Sequence, residues 1–175
     1  MKLLRRLILA LLPAFAGTAA LAHGPTPQQA EHRIEIAAAP AQVWAILGNP
    51  ASYADWHPDI AALAAEGEGA GSKRRIEFAS GGGVTEGIDR IDAEKMEIRW
   101  RLSQEDIESF PTSYYTNSIR VEPDGEAAAV VWSASFFRAD TTNEPQERFS
   151  DEAAVAAMDA LITHGLEGLK AAAEK

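Results

Sequence analysis

The tripeptide Trp56-His57-Pro58 is where this chain most visibly gathers reactive chemistry. An imidazole titrates near neutral pH and can act as acid, base or metal ligand, and an indole beside it suits the mouth of an apolar cavity. The competing reading is structural: Trp56 closes one end of the core and His57 bonds to backbone. We favour it, because only Asp55 and Asp59, in the same loop, stand near His57 at ligand spacing. A second group of residues is aromatic. Trp44, Trp56, Trp100, Tyr114, Trp132 and Phe136 are, with His57, the candidates to line a ligand cavity, although aromatics at strand period are also ordinary core.

Other chemistry is thinner. Glu86 and Arg90 flank Ile88 at strand period, as convergent polar groups or as a surface pair of little worth. Glu105, Asp106 and Glu108 read as a solvated loop. If a leader is removed before His23, the free amine and imidazole there form a copper-chelating pair that still needs His32, His57 or His164. The Pro-rich arm that follows argues instead for an unstructured terminus, so no metal site is assigned. The chain contains no G-x-S-x-G, H-E-x-x-H, P-loop or dinucleotide fingerprint. Nor does it contain cysteine, which removes disulfides, thiolate metal sites and thiol nucleophiles together. No catalytic residue and no cofactor is expected.

The first residues read as an export signal. Lys2, Arg5 and Arg6 precede the apolar run Leu7–Leu12, and Ala20-Leu21-Ala22 is an A-x-A cleavage signature. Pro13 and Gly17 interrupt that run, so it makes a poor permanent anchor. The expectation is a signal peptide over 1–22, cleaved after Ala22, and a periplasmic protein over 23–175 with no stable membrane insertion. That length suits one domain with its own core. The full chain carries a formal charge of −10, and cleavage would remove three basic residues and no acid. Such a surface repels nucleic acid and anionic headgroups, and steers toward basic proteins.

These side chains need elements to hold them. Pro25 and Pro27 predict an extended arm over 23–30, and His32, Ile34 and Ile36 then alternate as a strand. Pro40 opens a short helix carrying Val43, Trp44, Ile46 and Leu47, and a second short helix spans about 51–55. Strands follow over 73–79, 84–92, 96–103, 114–121 and 128–138, with turns at Gly81-Gly82-Gly83 and Asp124-Gly125. From Asp151, Val155, Met158, Leu161, Ile162, Leu166 and Leu169 recur at helical spacing behind a Ser150 N-cap. Gly165 and Gly168 weaken that helix locally. The fold class is α+β: about six consecutive antiparallel strands, twisted round one long C-terminal helix, with two short helices after the first strand. A single helix should leave a cavity in the concave side of the sheet, and any ligand is expected there.

This order, with the Pro40–Trp44 helix start and Tyr53-Ala54-Asp55-Trp56-His57-Pro58, resembles the SRPBCC superfamily, the helix-grip fold of START, Bet v 1 and polyketide cyclase relatives. The segments His23–Pro27, Trp56–Pro58 and Val131–Arg138 further resemble MxaD-type periplasmic proteins of bacterial methanol oxidation. That resemblance implies a non-catalytic accessory role beside a periplasmic quinoprotein dehydrogenase or its cytochrome c. The alternative, from the expected cavity, is a carrier of a small apolar ligand; a cyclase-like enzyme ranks below both.

Overall fold

The computed structural model describes residues 24–175. The expected signal peptide over 1–22, its expected cleavage site and His23 lie outside them. The chain forms seven strands, with apolar–polar alternation in all but the second: β1 (Gln28–Ile36), β2 (Ile60–Glu66), β3 (Lys73–Phe78), β4 (Gly83–Asp92), β5 (Glu97–Gln104), β6 (Thr112–Asp124) and β7 (Ala127–Arg138). They form one antiparallel sheet in the order β1-β7-β6-β5-β4-β3-β2. Only β1 is out of sequence, pairing with β7, because two short helices carry the chain across one end before β2 begins. These are α1 (Pro40–Leu47) and α2 (Tyr53–Trp56), joined through a 3-10 turn at Pro50–Ser52.

The long helix α3 (Asp151–Ala173) lies in the concave face of the sheet. Ser150 caps it, its hydroxyl accepting from the Ala153 amide at 3.2 Å. Ala154, Met158, Leu161, Ile162, Gly165, Leu166 and Leu169 face the core. Arg138, at the end of β7, fixes the helix start by donating to Asp151 at 2.9 Å and to the Asp140 and Thr142 carbonyls. Among the described residues no helix is long and apolar enough to cross a membrane.

Two elements depart from the sequence expectation. The extended arm is shorter than 23–30, because β1 starts at Gln28 and pairs Gln28 with Phe136 and Ala30 with Ala134. Gln28 and Gln29 are polar, and the partner strand rather than their own pattern recruits them. Strand β2 was not anticipated at all. It is alanine-rich and mostly exposed, so it carries no alternation to read, and its ladder with β3 holds it in place.

Candidate functional site

The concave side of the sheet is closed by rings. Trp100 from β5 and Trp132 from β7 meet at 5.5 Å between centroids, both almost wholly buried. Tyr53 and Trp56 of α2 enter from above, 5.0 Å apart, and reach 6.3 and 6.4 Å from Trp132. His57 completes the cluster, 4.9 Å from Tyr53 and 6.0 Å from Trp132. Edge-to-face geometry dominates, the favoured arrangement for ring quadrupoles.

Two glycines let the Trp56-His57-Pro58 loop come this close. On α3, a methyl at Gly165 would stand 2.7 Å from both the His57 ring and Trp132, and one at Gly168 would collide with the Trp56 carbonyl oxygen. The glycines that weaken α3 as a helix therefore create its docking surface.

His57 is 1 % exposed and has both nitrogens engaged. Nε2 donates to the Leu161 carbonyl at 3.0 Å, and Nδ1 accepts from the Asp59 amide at 3.2 Å. Burial pushes its pKa down to about 4, against the pull of Asp59 and of the Leu161 hydrogen bond. A neutral imidazole with both nitrogens engaged is a structural piece.

Beneath the rings lies a polar hub that the sequence reading only brushed. Glu86 of β4 is fully buried, and its carboxylate accepts three hydrogen bonds: from Arg74 Nε at 2.7 Å, Trp100 Nε1 at 3.0 Å and the Tyr115 hydroxyl at 2.7 Å. Arg74 lies over the Tyr53 ring at 4.1 Å and donates to the Pro50 carbonyl at 3.1 Å. Burial, then the Glu86 charge, raises both Tyr53 and Tyr115 well above the usual phenol range, so both stay neutral. Trp132 Nε1 finds Asn117 at 2.8 Å. Three of the roughly four acceptor positions of the Glu86 carboxylate are taken by these neighbours.

The candidate residues thus separate. Trp56, His57, Trp100 and Trp132 come together in one buried ring cluster. Phe136 is buried further along β7, and Trp44 is half-buried on α1 with its indole against Gly48. Tyr114 is a correction: it is 74 % exposed and points away from the core. Tyr115 shares the inward parity of Asn117, Ile119 and Val121, which leaves Tyr114 facing out, and a bulge between Ser113 and Thr116 sets both against Phe136. Arg90 pairs with Asp92 at the surface, not with Glu86. Arg74, Tyr53 and Tyr115 were missed. Arg74 had a signal, since it shares the parity of Ile76 and Phe78 on β3.

Among the described residues, the buried side-chain polar atoms without a protein partner are Tyr53 Oη, Trp56 Nε1, Arg74 Nη2 and Asn117 Nδ2 in this region, and Thr112 Oγ1 and Asp151 Oδ1. Arg74 also lines an open cleft of about 730 Å³ between the 48–51 and 67–73 segments, with Lys73 and Ile88 among its walls. Among the described residues no three His, Asp or Glu side chains are placed to hold a metal. His32 pairs with Asp159 at 2.8 Å and His164 with Asp59 at 2.9 Å, each engaged separately.

The model of one protein family, described as polyketide cyclase / dehydrase and lipid transport, matches residues 27–174. The chain belongs to that family. The helix-grip architecture is shared with solved structures of low identity. The protein XoxI from Bacillus cereus is 22% identical with a TM-score of 0.69, over 82% of this chain and 94% of its own. The Zhui aromatase/cyclase from Streptomyces sp. R1128 is 20% identical with a TM-score of 0.67, over 85% and 94%. Norcoclaurine synthase from Thalictrum flavum, in complex with dopamine and hydroxybenzaldehyde, is 16% identical with a TM-score of 0.66, over 95% and 94%. These likenesses concern the fold. No curated protein sequence matches the chain.

Proposed function

We propose that this family member is an exported, periplasmic accessory protein of an alcohol-oxidising system. It works without catalysis, by contacting the quinoprotein dehydrogenase or its cytochrome c. The observation that carries the reading is the ring cluster in the interior. Trp56, His57, Trp100 and Trp132 pack on one another on the concave side of the sheet, and Glu86 accepts three hydrogen bonds from its own neighbours. A protein whose rings pack on one another in place of lining an open cavity is read here as working through its surface. The MxaD-like segments and the chain charge of −10 point the same way. The test is the rate of electron transfer from purified dehydrogenase to cytochrome c, with and without this protein. A change in rate at low salt that fades at high salt is expected; an unchanged rate at both would sink the proposal.

A second reading has one observation of its own. The cleft between the 48–51 and 67–73 segments has room for a small molecule, with Glu68 and Lys73 on its walls and Arg74 buried behind it in its pair with Glu86. The ligand this reading takes is a small organic anion met by Lys73, rather than the wholly apolar ligand expected from the fold. Calorimetric titration with benzoate as probe checks this: heat lost in a Lys73→Ala variant supports it, and no heat with the wild type removes it.

A further inference from the structure

A sheet that does not close has two edges, and each presents peptide groups able to pair with another strand. Here the edges are β1 and β2. β1 is guarded. Exposed charges alternate along it at Glu31, Arg33 and Glu35. At its end Lys170 of α3 donates to the Glu35 carbonyl at 2.6 Å, and Glu174 accepts from the Ala37 amide at 2.7 Å. β2 lacks both guards. From Ile60 to Ala65 it contains no charge, proline or glycine, and Ala61, Ala62, Ala64 and Ala65 are exposed. Its one irregularity is the bulge between Ile60 and Ala62, at its start.

The ladder shows which peptides are uncommitted. The Phe78 amide donates to Gly82, at the turn into β4, and the Ala79 amide donates to Asp59, just before β2. Peptide direction alternates along a strand, so Arg75 and Glu77 also turn their peptides toward β2. There they meet Ala64 and Ala62. The peptide groups of Leu63, between those two alanines, therefore point out of the sheet.

We propose that β2 is the interface of a symmetric dimer, pairing antiparallel with β2 of a second copy about a two-fold axis at Leu63. Charge on the outer face selects this occupant and this register. Ala62 stands beside Glu77 and Ala64 beside Arg75. With Leu63 opposite itself, Ala64 faces Ala62 of the second copy. A row across the seam then runs Arg75, Ala64, Ala62, Glu77, with opposite charges about 14 Å apart over three strand spacings. Only alanine lies between them, so the two long side chains can reach toward each other, and symmetry repeats the pair. An axis at Ala62 would align Glu77 with Glu77, and an axis at Ala64 would align Arg75 with Arg75. Registers in between would set outward side chains opposite inward ones. The strand is thus complementary to itself about one residue. The dimer goes beyond the accessory role and does not rest on it.

Sedimentation equilibrium of the purified protein tests this at about 0.15 M salt, where a Debye length of about 8 Å screens the repulsion between two chains at −10. A reversible monomer–dimer equilibrium is expected. Arg75→Glu sets two carboxylates against each other in both rows and should weaken association about tenfold; Arg75→Glu/Glu77→Arg should restore it. Leu63→Pro removes the outward N–H at the axis while leaving the β2–β3 ladder its donors, and should abolish the dimer. If that variant does not fold, the charge variants decide alone. A wild type that stays monomeric at millimolar concentration overturns the proposal. So does a dimer that Arg75→Glu leaves unweakened, or one that the double variant fails to restore.

Discussion

A histidine inside an aromatic cluster must be neutral for the cluster to hold. With its pKa lowered from an ordinary 6.5 to about 4, His57 binds its proton more tightly in the unfolded chain than in the folded one. Its contribution is therefore complete above pH 6.5 and is lost as the pH falls from 6.5 toward 4. The loss is about 1.4 kcal/mol per unit, or about 3 kcal/mol in all. A His57→Gln variant, whose amide can still donate to Leu161, should be less stable at pH 7 but have a flatter profile across that window. Urea unfolding at pH 7, 6, 5 and 4 checks it; parallel profiles for the two proteins would mean that other groups set the acid sensitivity. The structural reading of His57 was legible in the sequence because only Asp55 and Asp59, in its own loop, stood near it at ligand spacing. Arg74 was less legible: alternation put it on the core face, but its partner Glu86 lies across a strand pairing that sequence spacing does not display.

Elements show the same division. The stripe of α3 and its Ser150 cap are local features, and both stand in the structure where residue spacing put them. Strand β2 was not visible, because its alanines carry no alternation and its position comes from pairing with β3. Tyr114 was misassigned although strand parity could have placed it: Ile119 and Val121 set the inward residues of β6, and counting back by twos reaches Tyr115, not Tyr114. Gly165 and Gly168 looked like weak points of the helix, and their purpose appears only when the loop that packs on them is in place. Glycine to alanine in a helix interior ordinarily stabilises by about 1 kcal/mol. At Gly168 the sign should reverse, since the added methyl meets the Trp56 carbonyl, and overpacking of this kind costs about 1–3 kcal/mol. Thermal unfolding of Gly168→Ala checks this, and a higher melting temperature would show that the loop yields easily.

At the scale of the whole molecule, the fold surrounds an interior that its own side chains occupy, and the chain is strongly acidic outside. Composition made the acidity plain and periodicity made the architecture plain. Whether the concave side would be open or filled was not legible, because the same aromatics can line a cavity or close it, and only their ring-to-ring contacts decide. On the proposed reading, the acidic surface makes the contact through which the protein acts. The most direct test is a binding titration of the mature protein against the purified quinoprotein alcohol dehydrogenase and cytochrome c at two ionic strengths. Saturable binding to one of them at low salt, weakening as salt screens the contact, is the predicted result. Absence of binding to both at low salt, with full retention of fold, would contradict the account.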